Sequence, residues 1–217
     1  MKRVYQILTV MLVIASLVLS GCGNAELPDR EFSLGVVSGN TYTNEYAGVS
    51  LQLGAEWQML GAEDLQGLPE NIREQLKGSD AEQIMEDYSG ILDMQASNLM
   101  TGASVNVNFN AISKSERVAY ALMSEEESLD VVLKQYDMLV DAYAQMGVEN
   151  AVIEKVTVNF LGEEHTALLT TGQVQGMDIY LVQVQNYKLG VYGVTVTATS
   201  LLENTTQDIL DQFQTLQ

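Results

Sequence analysis

Alternating apolar and polar positions dominate the chain after residue 31, and this period of two is typical of strands with one buried face. The connections between the later runs are too short for the crossover that a parallel return needs, so we expect those neighbouring strands to be antiparallel. The alternation therefore predicts a mainly antiparallel sheet, with strand-like runs at about 32–36, 41–53, 92–96, 105–111, 151–160, 165–171, 177–186 and 191–200.

Helical periodicity is clearest over about 125–146. Ser124 and Glu127 fit a capping box, Gly147 occupies the position of a C′ glycine, and acidic residues fill the first turn. Because those acids suit the positive end of the helix dipole, they need no metal site to explain them. Shorter helices are predicted at about 65–76, 79–88 and 205–216. One apolar face of the long helix is predicted to pack on the sheet: Leu129, Val132, Leu133, Tyr136, Leu139, Val140 and Tyr143.

Together these elements predict a single α+β domain over residues 31–217, a mainly antiparallel β-sheet flanked by helices. Within its hairpin, Asn106, Asn108 and Asn110 share the strand face opposite the apolar one. They could form a polar binding face or a solvated sheet face. We favour the solvated face.

The N-terminal segment has the order of an export signal. Lys2 and Arg3 precede an almost wholly apolar run over 4–19, and small residues then lead into the only cysteine. The run is shorter than the roughly 20 residues that a membrane-spanning helix needs. We therefore expect residues 1–21 to be a signal peptide.

Leu19-Ser20-Gly21-Cys22 resembles the bacterial lipobox. The resemblance implies that a signal peptidase recognises Leu19, Ser20 and Gly21, and that Cys22 carries a diacylglyceryl thioether and, after cleavage, a further fatty acyl group such as palmitate. Two or more acyl chains hold a protein on a bilayer durably. We therefore expect a lipoprotein anchored in the cell membrane through the lipid on Cys22, on the extracytoplasmic face, with residues 22–30 as a short tether.

The charge limits the possible partners. Without Lys2 and Arg3 the chain has 8 basic against 29 acidic residues, a formal charge of −21. Such a surface repels nucleic-acid phosphates, so we expect no nucleic-acid partner, and it also keeps the domain off an anionic bilayer. No cysteine follows Cys22, so the domain has neither disulfides nor thiolate zinc ligands.

Candidate chemistry is sparse. His165 is the only histidine, and no nucleophile elbow, HExxH motif, P-loop or EF-hand loop occurs. Glu163 and Glu164 are adjacent and would point to opposite faces of a strand, which disfavours a paired-carboxylate site. Because His165 follows these two carboxylates, we expect it to form a surface ion pair there. We predict no catalytic residues, no metal ligands and no cofactor. Tyr42, Tyr46 and Trp57 are expected at the core, where they join the first hairpin to the helices.

The residues from Thr41 to Val49, followed by Trp57, resemble the opening of bacterial lipoproteins with a PsbP-like domain. Phe160-Leu161-Gly162-Glu163-Glu164, before a meander and a terminal helix, is similar to the later half of that fold. The resemblance implies an α/β/α sandwich, a layout used elsewhere for protein association. It assigns no functional residue to this sequence.

The preferred hypothesis is a non-catalytic, lipid-anchored protein that binds an envelope protein or assists envelope assembly. The alternative is a membrane-tethered protein that binds a small ligand or a cation, through a tyrosine-lined pocket or an acidic rim. A hydrolase using His165 is the third and least favoured hypothesis. It requires a serine or a carboxylate within hydrogen-bond reach of the ring.

Overall fold

Two antiparallel sheets and five helices form the part of the chain that the computed structural model describes, residues 31–65 and 90–216. The strands are β1 Val36–Ser38, β2 Thr41–Asn44, β3 Val49–Gln52, β4 Trp57–Gly61, β5 Ile91–Asn98, β6 Ser104–Ala111, β7 Glu149–Phe160, β8 Glu163–Val174, β9 Met177–Asn186, β10 Tyr192–Leu201 and β11 Phe213–Thr215. The helices are α1 Ala62–Leu65, α2 Lys114–Leu122, α3 Glu125–Leu133, α4 Tyr136–Gln145 and α5 Thr206–Leu210.

The larger sheet has seven strands in the order β4-β5-β6-β10-β9-β8-β7, and every neighbouring pair is antiparallel. Two-residue turns join β7 to β8 and β8 to β9. Leu161 and Gly162 have φ of 56° and 83°, and Gln175 and Gly176 have 53° and 77°. Two successive positive φ values are typical of type I′ hairpin turns, whose twist matches the strands they join. The antiparallel meander predicted after residue 150 is confirmed.

The two faces of this sheet are covered by different layers. The apolar face packs against a smaller sheet, β1-β2-β3-β11, and against α5. On the other face α3 and α4 cover β7, β8 and β9. The α+β class with a mainly antiparallel sheet is confirmed. Tyr42 and Tyr46 are 0% and 2% exposed, as expected of core residues, but they join the smaller sheet to the larger one.

The predicted continuous helix over 125–146 is two helices. Lys134 and Gln135 separate α3 from α4, and Gln135 has φ −104° and ψ 26°. Helix α3 packs on β8, and α4 packs on β7. The apolar face itself was predicted correctly, because Leu129, Val132, Leu139 and Tyr143 are all buried. The capping box of Ser124 and Glu127 is also present.

Three other element predictions were wrong in extent. The first strand is β1, which contains only Val36 of the predicted run over 32–36. The run over 41–53 is divided by a turn into β2 and β3. The predicted helix over 205–216 ends at Leu210, and Phe213–Thr215 form β11, which pairs with β3. The last two errors have different reasons. Between β2 and β3, Asn44 Oδ1 accepts a hydrogen bond from the Ala47 N–H at 2.7 Å, which forms the turn. At the C-terminal end, Phe213 lies opposite Leu51 in the smaller sheet, and both are buried in its core.

Several predictions lie outside the described residues. They are the signal peptide 1–21, the tether 22–30, and the helices at about 65–76 and 79–88 apart from Leu65, the last residue of α1. Helix α2 was not predicted, although Ser113 and Glu116 form its capping box. Within the described ranges, no helix has both the length and the apolar character to cross a membrane.

Side chains form hydrogen bonds with backbone groups on the outer edge of β7. The amide group of Gln207 on α5 contacts Asn159 twice, donating to its carbonyl at 2.7 Å and accepting from its N–H at 3.1 Å. Further along, the Ile153 N–H donates to the Tyr136 hydroxyl at 3.5 Å. An open strand edge invites pairing with another chain. These contacts occupy part of that edge.

Candidate functional site

The residues predicted for lipidation, Leu19, Ser20, Gly21 and Cys22, lie outside the described part of the chain. The described domain begins beside them in sequence, and its first aromatic residue is firmly packed. The Phe32 ring stacks on Tyr192 with ring centres 4.1 Å apart, and it meets Tyr46 and Phe109 edge-on at 5.2 and 5.3 Å. Phe32 therefore lies close to the start of β10.

His165 forms the ion-pair contact expected of it, but with a different partner. Its Nδ1 lies 2.7 Å from Oε1 of Glu125, at the start of α3. The other oxygen of Glu125 accepts a hydrogen bond from the Thr166 N–H at 2.9 Å. One carboxylate thus connects the first turn of α3 to β8. The neighbouring Glu163 and Glu164, which the sequence offered as partners, do not make this contact.

The other acids of α3 also have structural partners. Glu126 and Asp130 contact Nζ of Lys155 at 3.0 and 2.7 Å, and hydrogen bonds to Asp130 and then Glu126 raise the pKa of Lys155. Hydrogen bonds from the backbone and hydroxyl of Ser124 lower the pKa of Glu127. Residues 31–65 and 90–216 contain no group of three or more His, Cys, Asp or Glu residues that could hold a metal ion.

A buried carboxylate joins the two sheets. Asp93 on β5 is 0% exposed and accepts four hydrogen bonds. The Gly35 N–H reaches both oxygens at 3.0 and 2.9 Å, the Tyr42 hydroxyl donates at 2.6 Å, and the Asn44 amide donates at 2.9 Å. Burial, reinforced by the neighbouring charge of Asp93, raises the pKa of Tyr42 well above its ordinary value. This set of contacts is built to hold the sheets together.

The local backbone explains how Asp93 reaches its donors. A register shift between Leu92 and Met94 places a β-bulge at Asp93, which breaks the strict alternation of β5. Gly35 then approaches closely: a Cβ there would lie 2.7 Å from Oδ2 of Asp93 and would also collide with the Tyr42 ring. Only glycine allows that approach.

The helix-side face of the central strands is polar. In the strand register Gln95, Asn106, Thr197 and Gln183 form one row across the sheet, and Asn108, Thr195 and Gln185 form the next. We call this surface the polar face. Its members on β5, β6, β9 and β10 are Gln95, Ser104, Asn106, Asn108, Asn110, Gln183, Gln185, Thr195, Thr197 and Thr199.

The expectation that the asparagine stripe faces solvent was wrong. Asn106 and Asn108 are 0% exposed and Asn110 is 6% exposed. The stripe continues onto the neighbouring strands as amides and hydroxyls that are also buried. Burying unpaired amides and hydroxyls costs free energy, so such a face needs hydrogen bonds.

Part of the polar face supplies its own hydrogen bonds. The Asn108 amide donates to Asn106 at 2.6 Å, and the Gln183 amide donates to the Thr197 hydroxyl at 3.5 Å. Other buried atoms of the face have no hydrogen-bond partner within the described residues. They are Gln95 Oε1, Ser104 Oγ, Asn110 Nδ2, Gln185 Oε1 and Nε2, Thr195 Oγ1 and Thr199 Oγ1.

Leaving these buried atoms without hydrogen bonds would cost a large amount of folding free energy. Each costs on the order of 1–3 kcal/mol if nothing bonds it. A whole domain is stable by only about 5–15 kcal/mol. Several such costs together are comparable with the entire stability, so these atoms are expected to find partners that the described residues do not provide.

Three of the orphaned residues are adjacent. Thr195 lies directly opposite Gln185 on β9, and Asn110 lies opposite Gly193, two positions before Thr195. We call Asn110, Gln185 and Thr195 the polar cluster. The Tyr187 ring occupies the space above Gly193, where any Cβ would collide with it. The cluster is therefore bordered on one side by an aromatic ring.

Helix α2 packs against the Tyr187 ring. Tyr120 stacks on Tyr187 with ring centres 4.6 Å apart. Burial, with the Glu116 charge nearby, raises the pKa of Tyr120. Arg117 is the one buried side chain of α2. Through Tyr120, α2 lies next to the Tyr187 ring that borders the cluster.

Sequence reasoning identified the asparagine stripe but missed the face to which it belongs. The signal that could have found it is the alternation in β10, where Thr195, Thr197 and Thr199 occupy every second position between apolar residues. That period matches the asparagines of β6, and pairing of the two strands gives a continuous polar surface. Asp93 carried no comparable signal, since its role depends on a bulge.

In comparisons with known proteins, the chain matches no protein-family model and no curated protein.

Proposed function

We propose that this chain is a lipid-anchored extracytoplasmic lipoprotein that acts by binding an envelope protein or assisting envelope assembly, without catalysis. The observation that carries the proposal is Leu19-Ser20-Gly21-Cys22, placed directly after an apolar run with a basic start. The lipid on Cys22 would hold the domain at the surface of the cell membrane.

The geometry of the domain is compatible with such an anchor. Phe32 is packed between Tyr192, Tyr46 and Phe109, so the chain is fixed to the domain just after the proposed tether. Residues 23–30 extend over at most about 26 Å, at roughly 3.3 Å each. The anchor would therefore keep the start of β10 near the membrane, while the charge of −21 favours a domain that stands off an anionic surface.

The non-catalytic part of the proposal is supported by the surroundings of His165. Its Nδ1 contacts Glu125, whose second oxygen is bonded to the Thr166 backbone. This carboxylate satisfies the geometric condition set for the hydrolase hypothesis. However, it is committed to fastening α3 to β8, which favours a structural pair over a general base that must exchange protons with a substrate.

We propose further that the domain is PsbP-like. Support comes from the order of its elements, in which small strands precede a hairpin, then helices, then a four-stranded meander and a short helix. In the described residues the layer opposite α3 and α4 is a four-stranded sheet with α5, where the α/β/α sandwich has helices. Superposition of this domain on PsbP-like domains of known structure tests this relationship.

The anchor is tested by replacing Cys22 with serine. We expect Cys22→Ser to leave the detergent phase on phase partitioning and to appear in the soluble or secreted fraction, or to remain unprocessed. Asn24→Ala, two residues later, is the matched control and should partition as the wild-type chain does. If Cys22→Ser still enters the detergent phase, the lipid anchor is refuted.

Partner binding is tested by crosslinking on intact cells from defined positions. A photo-crosslinking residue at Met100, which is 86% exposed, or at Leu122, which is 81% exposed, should give discrete adducts. The same positions in the Cys22→Ser background are the control, because an envelope partner requires the anchored protein. Adducts that are identical with and without the anchor would contradict a partner at the membrane.

Binding of a small ligand is the second candidate function. The buried polar face favours it, since orphaned amides and hydroxyls are the groups that orient ligands in binding sites. The cation version of this candidate is less well supported, because the acids of α3 are already bonded to Lys155, His165 and Ser124.

A further inference from the structure

We infer that the polar cluster, Asn110, Gln185 and Thr195, is a binding site for a small, uncharged ligand rich in hydroxyl groups. The inference rests on the second candidate function, ligand binding, and is independent of the lipid anchor. Its carrying observation is that all three side chains are at least nine-tenths buried, yet four of their polar atoms have no partner within residues 31–65 and 90–216.

The cluster differs from two neighbouring pairs of residues on the polar face. Asn108 and Asn106 are bonded to each other, and Gln183 is bonded to Thr197. The orphaned atoms of the cluster occur where Gly193 interrupts the side chains of β10 opposite Asn110. The missing side chain leaves Asn110 without a cross-strand neighbour of its own length, so its Nδ2 is available to a ligand.

The donor and acceptor pattern selects the ligand class. Asn110 offers a donor, Gln185 offers a donor and an acceptor whichever way its amide is turned, and Thr195 offers both. A hydroxyl group also donates and accepts, so neighbouring hydroxyls can satisfy all of these atoms. A cation would satisfy the oxygens and leave the amide N–H groups unpaired. An anion would leave Gln185 Oε1 unpaired and would carry the cost of burying a charge.

The spacing of the cluster suits a ring-sized ligand. Asn110, Thr195 and Gln185 lie on three successive strands, β6, β10 and β9. Strands in a sheet are about 4.8 Å apart and Asn110 is offset by two residues along the strands from Gln185, so their Cα atoms are about 12 Å apart. A monosaccharide bridges such a distance through hydroxyls on opposite sides of its ring.

Access is provided by the aromatic border. Tyr187 lies over Gly193 and is held by its stack on Tyr120 of α2. In this proposal, separation of the stack is the movement that would expose the cluster to solvent. Ligand entry therefore requires displacement of Tyr187 and leaves the sheet itself unchanged.

Thr195→Val is the decisive variant, since valine keeps the shape of threonine and removes only the hydroxyl. Thr197→Val is the matched control, on the same strand and face, because the Thr197 hydroxyl accepts a hydrogen bond from Gln183. Both are made in the full-length chain in detergent. D-glucose and N-acetyl-D-glucosamine are the test probes, with calcium chloride and sodium acetate as charged probes.

Calorimetric titration and thermal melting give the first readout. We expect the wild type and Thr197→Val to bind at least one sugar, and Thr195→Val to bind it at least about tenfold more weakly. The non-specific stabilisation that sugars give by exclusion from protein surfaces is common to all three proteins and cancels in the comparison. The side-chain amide NMR signals of Asn110 and Gln185 should shift on binding in the wild type.

The second readout needs no ligand. Without probe, Thr195→Val should unfold at a urea concentration equal to or above that of the wild type, whereas Thr197→Val should unfold at a lower one.

Equal losses in the two variants would show that both hydroxyls are permanently bonded and would overturn the inference. Sugar binding unaffected by Thr195→Val would also overturn the site but leave the ligand-binding function standing. Binding of only calcium or acetate would overturn the ligand class, and a wild type that binds no probe would overturn both the site and the function.

Discussion

The Tyr42 hydroxyl donates a 2.6 Å hydrogen bond to the Asp93 carboxylate, and the two residues belong to different sheets. Both side chains are 0% exposed. A carboxylate buried without donors would be strongly destabilising, and its donors would be stranded if it were removed. The relative placement of the two sheets is therefore coupled to this pair.

Tyr42→Phe should lower the free energy of unfolding by about 1.5–3 kcal/mol, the range for a hydrogen bond to a charged group. The ring remains to fill the core, so the loss reports the hydroxyl alone. Urea unfolding measures it, with Tyr180→Phe, half-buried on β9, as the control expected to change by less than about 0.5 kcal/mol. Equal effects of the two substitutions would mean that the contact with Asp93 contributes nothing.

Alkaline pH should destabilise the domain through its buried tyrosines. Burial raises the pKa of Tyr143 to about 12, and the pKa of Tyr42 is raised as well. Unfolded tyrosine titrates near about 10, so the folded state holds its proton more tightly. The stability is complete below about pH 10 and is lost as pH rises towards 12, by roughly 2–3 kcal/mol for Tyr143 alone.

The test compares wild type with Tyr143→Phe, following urea unfolding and tyrosinate absorbance from about pH 9 to 12. Phenylalanine has no proton to lose, so the variant should have a shallower fall in stability across this window. Lys155, whose raised pKa acts in the same direction, is present in both proteins and does not affect the difference. Parallel pH profiles would contradict the assignment to Tyr143.

His165→Ala should leave the biological function essentially intact. A true general base contributes typically 10²–10⁴-fold, so its loss would be obvious. The stability cost should be at most about 1 kcal/mol, because the side chains of His165 and Glu125 are 23% and 39% exposed. Complementation of a deletion strain at matched expression measures the effect. A variant that melts like wild type but behaves like the deletion would refute the non-catalytic proposal.

Gln207→Ala should expose the edge of β7 and promote self-association. The amide of Gln207 occupies both backbone groups of Asn159, and removing it frees a donor and an acceptor for another chain. We expect a stability loss of about 1 kcal/mol and faster aggregation by light scattering. Gln212→Ala is the control, since that exposed amide donates only to Asp208 on the same segment. Equal aggregation of the two variants would show that the contact of Gln207 with Asn159 does not prevent self-association.

The local parts of the fold were predictable because their causes are local. The tight turns at Leu161-Gly162 and Gln175-Gly176 follow from glycine at a position of positive φ, and the capping box at Ser124 and Glu127 is encoded within four residues. The alternation of the meander strands gave their order and direction. Each of these features depends on neighbours in sequence.

The features that were predicted wrongly depend on residues that are far apart in the sequence. Asn106 and Asn108 alternate as a solvated stripe would, and only the threonines of β10, some 90 residues later, make the stripe part of a buried face. Likewise α3 and α4 are separated by their contacts with two different strands. The pairing of His165 with Glu125 rather than Glu163 or Glu164 is also decided by the packing of α3.

The pairing of β11 with β3 has a consequence for export. Ser50 and Gln214 are hydrogen-bonded across 164 positions of sequence. A chain that crosses the membrane from its N-terminus presents β3 long before β11, so the smaller sheet cannot close until the last strand has emerged. During that interval the edge of β3 that pairs with β11 has no partner strand. Contacts between residues so distant in sequence form slowly. If the chain is exported and anchored as proposed, it would be most vulnerable to proteolysis in the interval before β11 has emerged.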